Sequence, residues 1–292
     1  MPWLQLKLDT TPDQAEQVSD LLSELGAAAV TFEDALDQPI FEPDPGETRL
    51  WNSTRVAGLF EADWDMEAVV EQLHEQLGDS AIHHLHVDPL EDKDWERAWM
   101  DSFKPIRCGQ RLWICPSWHT PSDGDAVNVM LDPGLAFGTG THPTTWLCLE
   151  WLDAHPPVGK TAIDFGCGSG ILAVAAALLG ATHVGATDHD PQAIMATRDN
   201  AEKNHVSDRI DACLPKQFQS EPVDLMLANI LANPLIELAP QLASLVKPGG
   251  QIVLSGILLE QAQAVSDRYQ EWFEMAPMTT KEEWVRLDGI RR

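Results

Sequence analysis

Apolar and polar positions follow two different rhythms along this chain. Near the start they alternate: Leu4, Leu6 and Leu8 recur at every second residue, beside Trp3, which predicts a strand with one buried face. Thr11-Pro12-Asp13 then reads as a helix start, a cap followed by proline in the first turn. Leu21, Leu22 and Leu25 give that helix an apolar face, and Gly26 stops it. Ala28 to Phe32 predicts a second strand, and Thr54 to Phe60 a third beyond a Pro/Asp/Gly-rich loop from Asp37 to Glu47. Asp63 to Leu77 returns to helical spacing, Gly78 ends it, and Ile82 to Val87 supplies a fourth strand. The order βαββαβ predicts a small α+β, ferredoxin-like domain over residues 1–88.

Residues 89–110 break the pattern and read as a linker. Asp92 to Phe103 predicts a short helix on which Trp95 and Trp99 lie one turn apart, ended by Lys104-Pro105 and best suited to a packing strut. From Arg111 onward strands alternate with helices. Leu112 to Cys115 and Ala126 to Leu131 read as strands ahead of a glycine-rich loop. Then come strand Thr161 to Phe165, helix 170–180, strand His183 to Thr187, helix 191–204 and strand Val223 to Ala228. A helix from Leu235 to Val246 is expected to stop at Lys247-Pro248-Gly249-Gly250, with a strand over Gln251 to Ser255. A last helix, Glu260 to Tyr269, precedes strand-like runs near Trp272 to Met275 and Trp284 to Leu287. This is the rhythm of a doubly wound α/β sheet over 111–292, in which ligands bind beyond the carboxyl ends of the strands where strand order switches.

One such end carries chemistry. Asp164-Phe165-Gly166-Cys167-Gly168-Ser169-Gly170 lies between an apolar strand and an Ala/Leu-rich helix. Glycines at alternate positions let the backbone turn tightly and approach a ligand. About 20 residues on, Asp188 falls where a carboxylate accepts from ribose hydroxyls. A dinucleotide fingerprint would place its third glycine one residue later, where Ile171 stands, and Asp164 is a poor neighbour for a pyrophosphate. It is a better one for the cationic methionyl end of S-adenosylmethionine, so that cofactor is favoured over a nicotinamide dinucleotide. A second glycine-rich loop, Asp132 to Thr145, places Pro143 as the first residue of a helix with Thr144 and Thr145 in its first turn, an end that attracts a carboxylate. Asn229 also falls at a strand end.

Composition narrows the function without naming it. The formal net charge of -27 repels free nucleic acid and favours encounter with basic partners, so no direct nucleic-acid binding is expected. No apolar run reaches the ~20 residues that span a bilayer, and the first residues lack the apolar core of a secretory signal; a cytoplasmic protein without a membrane partner is expected. Five cysteines form no C-x-x-C pair, as suits reduced thiols. His83, His84 and His86 are the densest histidine group, without a nearby cysteine, and a surface or packing role outweighs a metal site. Nothing suggests a coiled coil or a sticky face, and a monomer is expected.

Taken in order, Gly134-Leu135-Ala136-Phe137-Gly138-Thr139-Gly140-Thr141-His142-Pro143-Thr144-Thr145, the Asp164 to Gly170 loop, Thr187-Asp188-His189-Asp190-Pro191 and Ala228-Asn229-Ile230-Leu231-Ala232-Asn233-Pro234-Leu235 resemble the ribosomal protein L11 methyltransferases. The likeness takes in the Trp95 and Trp99 linker, the Phe103-Lys104-Pro105-Ile106 run and the front module. It implies a class I methyltransferase sheet, mostly parallel with its last strand antiparallel, and S-adenosylmethionine as methyl donor to lysine side chains and the N-terminal amine of ribosomal protein L11. The front domain would recognise that substrate. Carried over by motif, the cofactor contacts would be Thr145, Gly166, Asp188 and Asn229; His189 departs from the aliphatic residue more usual there. Phe137 would cover the sulfonium or simply pack. A protein of the same fold acting on another basic protein or a small molecule is the alternative. No catalytic base is assigned: freeing a lysine amine of pKa about 10.4 at pH 7 costs about 4 to 5 kcal/mol, and burial beside a sulfonium lowers that cost.

Overall fold

The computed structural model describes residues 3–36, 50–78, 82–90, 104–119, 126–132, 140 and 142–292. The chain divides into two compact units, Met1–Ser102 and Phe103–Arg292. The expected Asp37 to Glu47 loop, the Trp95/Trp99 helix and most of the Gly134 to Thr141 loop, Phe137 included, lie outside the described residues.

In the first unit, strands β1 (Trp3–Thr10), β2 (Ala29–Asp34), β3 (Thr54–Glu61) and β4 (His83–Leu90) form one antiparallel sheet in the order β2-β3-β1-β4. Helices α1 (Pro12–Glu24) and α2 (Met66–Leu77) complete the βαββαβ succession. The period-2 pattern decides which face is covered: Leu6, Leu8, Val56 and Phe60 are fully buried with Val18, Leu22 and Leu73 of the helices. The opposite face carries ion pairs. Arg55 donates to both Asp9 carboxylate oxygens, at 2.7 and 3.1 Å, and His84 approaches one of them at 3.1 Å. His84 reaches it from a φ of 51°, at the register shift between Lys7 and Asp9 in the β1–β4 pairing, so the histidine group does not keep strict strand alternation.

The second unit begins before Arg111. Strand β5 (Ile106–Cys108), inside the expected linker, pairs antiparallel with β6 (Leu112–Cys115), which pairs parallel with β7 (Val127–Met130). The main sheet runs β10-β9-β8-β11-β12-β15-β13. It is built from β8 (Thr161–Phe165), β9 (His183–Thr187), β10 (Ile210–Cys213), β11 (Val223–Asn229), β12 (Val246–Leu258), β13 (Phe273–Met275) and β15 (Trp284–Arg291), with β14 (Thr279–Lys281) also on β15. The first five strands of that order are mutually parallel, and β15 is antiparallel to β12 and β13. Strand order reverses between β8 and β11.

Both faces of the sheet are covered, and the central strands accordingly read as continuous apolar runs. Along β11, Leu225 and Leu227 join one buried cluster with helices α3 (Pro143–Ala154), α4 (Ile171–Leu178) and α5 (Pro191–Lys203). Met226 and Ala228 join the other, with α6 (Ala232–Ser244) and α7 (Ala262–Tyr269). The Ala/Leu-rich α4 has no polar face because it is buried all round from Ile171 to Ala177.

Three elements escape the sequence reading. β5, β10 and β14 have three or four residues each, too few for a period to register. Lys247-Pro248-Gly249-Gly250 is not a break between helix and strand but lies within β12. Val223 pairs with Val246 and Leu225 with Gln251, so the extra residues are absorbed as a bulge opposite Asp224, to which Lys247 Nζ bonds at 3.0 Å.

Candidate functional site

The site lies at the carboxyl ends of β8, β9 and β11, where strand order reverses. From Phe165 the chain turns into α4 through three left-handed glycines, Gly166, Gly168 and Gly170, with φ of 75°, 53° and 76°. Side-chain residues disfavour that region. Space excludes them as well: a Cβ at Gly166 would run into the Ile230 side chain, and one at Gly170 would come within 2.7 Å of Thr197. The loop is tied down from several sides. Gly166 and Cys167 N–H groups donate to Thr187 O at 2.8 and 3.1 Å, Thr197 Oγ1 donates to Gly168 O at 3.0 Å, and Asn200 Nδ2 to Ser169 O at 2.8 Å.

Asp188 follows β9 and faces the loop. Its Oδ2 accepts from Gly168 N–H at 2.9 Å and its Oδ1 from Asp190 N–H at 3.0 Å. His189, nearly all exposed, lies 3.4 Å from Oδ1. The helix cap is a separate residue: Asp190 Oδ1 accepts from Gln192 N–H at 2.8 Å, with Pro191 starting α5.

Asp164 departs from the expectation that it presents a negative charge beside the loop. Its side chain is buried, and Oδ2 accepts from Ala173 N–H at 3.0 Å in the first turn of α4. Burial pushes its carboxyl up to about 7 although the Ala173 bond pulls it down, and the Asp188 charge adds to the rise. Near neutral pH this group is therefore shared between its two forms. Burial likewise pushes the adjacent Cys167 far up, with Asp164 contributing, so Cys167 is a packed thiol and not a nucleophile.

Thr145, in the first turn of α3, is fully buried, and its Oγ1 accepts from Asn229 Nδ2 at 3.3 Å. Pro143 is the first helical residue, as its sequence position predicts, and His142 is the cap. The four carried-over residues thus form one line of contacts: Asp188 on Gly168, Gly166 against Ile230, and Asn229, next to Ile230, on Thr145. Along that line three buried polar atoms have no hydrogen-bond partner among the described residues: Asp164 Oδ1, Thr187 Oγ1 and Asn229 Oδ1. Such atoms are costly in a packed interior and have capacity left for a polar ligand, although Asp153 Oδ1 and Arg291 Nη1, away from this line, are left in the same way.

Sequence reasoning missed the residues that brace this rim. Ile230 sets the limit at Gly166, and Thr197 and Asn200 grip the loop carbonyls from α5. Their one sequence signal is polarity on a helix face that also buries Ile194 and Ala201. Asn204 continues that face. It accepts from Met130 N–H at 2.7 Å and donates to Met130 O at 2.8 Å, replacing a strand partner at the edge of β7.

Comparison with known proteins agrees along the whole length. The family model described as ribosomal protein L11 methyltransferase (PrmA) matches residues 2–292. A protein of Marinobacter nauticus named ribosomal protein L11 methyltransferase is 56% identical over 296 residues, covering 100% of this chain and 99% of its own length. One of the same name from Azotobacter vinelandii is 57% identical, with 100% of each chain covered. Among solved structures, a ribosomal protein L11 methylase from Lactobacillus delbrueckii subsp. bulgaricus superposes with a TM-score of 0.59 at 34% identity, over 65% of this chain and 100% of that one.

Proposed function

The chain belongs to the ribosomal protein L11 methyltransferase family, and on that premise we propose that it methylates amino groups of ribosomal protein L11, on lysine side chains and at the N-terminus. It is an S-adenosylmethionine-dependent methyltransferase built on the doubly wound class I sheet. The single observation that carries the site assignment is the contact line Asp188–Gly168, Gly166–Ile230, Asn229–Thr145 across the reversal in strand order, with three unpartnered polar atoms along it.

S-adenosylmethionine supplies, when bound, a methyl group already activated on a sulfonium. The chain's own work is to bind, orient and keep water out. Asp188 would accept from ribose hydroxyls while remaining anchored by two backbone N–H groups, which fix its direction. Gly166 and the neighbouring glycines bring bare backbone against the ligand. Thr145 and Asn229 would hold the methionyl side, with Asn229 Oδ1 left over to accept from an ammonium. A cation near Asp164 would favour its ionised form, so the carboxyl gains its charge when the ligand brings one.

The unit Met1–Ser102 would recognise the substrate and the unit Phe103–Arg292 would carry the chemistry. The net charge of -27 supports a basic protein substrate without direct nucleic-acid contact; the enzyme would meet it as a monomer in the cytoplasm. Among the described residues no helix is long and apolar enough to cross a membrane. The test is calorimetric titration of the protein with S-adenosylmethionine and with NADH, followed by transfer of labelled methyl to ribosomal protein L11. Binding of the first alone and labelling of L11 are expected. Binding of NADH, or binding of S-adenosylmethionine with no labelling of L11, would overturn the proposal.

A further inference from the structure

We infer that His142 is a positioning residue for this cofactor site: as the cap of α3 it holds the first helical turn so that the Thr145 hydroxyl meets the Asn229 amide, and it does so only with a neutral imidazole. The inference rests on the cofactor reading above. Pro143 has no N–H, so Thr144 N–H is the first backbone donor of α3 that needs an acceptor. His142 Nδ1 takes it, at 3.4 Å, and lies 2.8 Å from Thr144 Oγ1. Serine, threonine, asparagine or aspartate usually fills this role. Histidine adds titration. To accept from a backbone N–H, Nδ1 must carry no proton, which puts the ring proton on Nε2. A charged imidazole could still donate to Thr144 Oγ1, but it would turn an N–H toward Thr144 N–H, so the backbone cap is lost, and it would place positive charge at a helix N-terminus, where it is disfavoured.

The ring is half-buried and makes a T-shaped contact with Trp284 at 4.9 Å between centroids. Among the described residues, the charged groups acting on it are Glu282 and Glu283, at the turn between β14 and β15. Lys281 of the same hairpin sits over the Trp146 ring at 4.2 Å. Burial lowers the His142 pKa below its ordinary 6.5, and the two glutamates offset only part of that. The neutral cap is therefore the form present above 6.5, and it is lost as pH falls through the lowered value. Since Thr145 is the next residue after Thr144, its contact with Asn229 should loosen in the same range.

Titration of the intact protein with S-adenosylhomocysteine, which carries no sulfonium charge, at about pH 7.5 and about pH 5 tests this. Wild type should bind about fivefold more weakly in acid, the factor that matches loss of a ~1 kcal/mol cap. His142→Asn, whose amide oxygen caps without titrating, should keep wild-type affinity at the higher pH and lose the acid weakening. His142→Ala should be weak at both. If His142→Asn weakens in acid as wild type does, or His142→Ala binds like wild type, the inference is overturned; should His142→Ala fail to fold, the asparagine variant decides alone. A wild type that binds no ligand at either pH would instead sink the cofactor reading, and this inference with it.

Discussion

The two units handle buried polarity in opposite ways. In the first, the buried Asp9, Thr10 and Thr54 all have partners: Asp9 with Arg55 and His84, Thr10 with Gln14, and Thr54 with the Trp51 carbonyl. In the second, at the strand ends of β8, β9 and β11, Asp164, Thr187 and Asn229 each keep a buried atom without one, beside three glycines in left-handed conformation. Asp153 Oδ1 and Arg291 Nη1 of the second unit are also buried without a hydrogen-bond partner among the described residues, so orphaned atoms alone do not mark a site; at the strand ends they coincide with the left-handed glycines, where the proposed cofactor would use them.

The sharpest way to break this contrast is Gly166→Ala. Strain at φ 75° and collision with Ile230 act together, so cofactor affinity should fall by more than about 100-fold, measured by calorimetry. Shortening the obstacle in Gly166→Ala/Ile230→Ala should recover only part of it, because the backbone strain remains; full recovery would show that space alone matters. Asp188→Ala removes the proposed ligand contact together with the bonds from Gly168 and Asp190 N–H, and a 10- to 100-fold loss is expected, corresponding to about 1.5 to 3 kcal/mol for charge-assisted bonds. Unchanged affinity there would remove Asp188 from the site.

The first unit should answer differently. Arg55→Ala leaves Asp9 buried without its main partner and should cost about 2 kcal/mol of stability, reduced from the fully buried case because Arg55 is 28% exposed, with no change in cofactor affinity. Burial alone would raise the Asp9 pKa; the Arg55 bond, then the His84 bond and both charges more than offset it, so it is lowered. Its stabilising effect is thus present above 3.8 and disappears as pH falls through the lowered value. Acid unfolding of Arg55→Ala should accordingly lose part of its steepness below about pH 4.

The smallest effect belongs to Asp164. Its carboxyl, raised from 3.8 to about 7, favours the folded state most below 3.8, and that contribution is lost as pH rises through about 7. Asp164→Asn keeps an acceptor for Ala173 N–H and removes the charge, so it should raise Tm by about 3 °C near pH 8 and by less near pH 4.5. The same variant should bind S-adenosylmethionine more weakly while binding S-adenosylhomocysteine, which lacks the sulfonium charge, nearly as before. Equal losses for both ligands would show that Asp164 acts through the fold and not through charge.

Much of the local structure around the proposed site was legible in the sequence, and the resemblance added Thr145 and Asn229 to it. Alternate glycines after an apolar strand, a carboxylate one strand on and proline at a helix start each need only neighbours in sequence to be recognised, and Gly166, Asp188, Asn229 and Thr145 fall on one contact line. Asp164 was legible in place but not in state, since spacing says nothing of burial. The strands β5, β10 and β14 were not legible, their pairing partners being supplied by the sheet and not by their own period.

The sequence by itself determined the alternation of strands and helices, the turn at Gly166 to Gly170 and the residue types at each strand end, because φ restrictions and hydrophobic periods act within a few positions. The tertiary structure alone decided that Ile230 closes on Gly166, that Thr197 and Asn200 hold the loop, and that Asp164 loses its water. Those outcomes depend on residues tens of positions apart meeting in a packed interior, where exclusion of solvent, not sequence spacing, sets which polar atoms find a partner and which are left for a ligand.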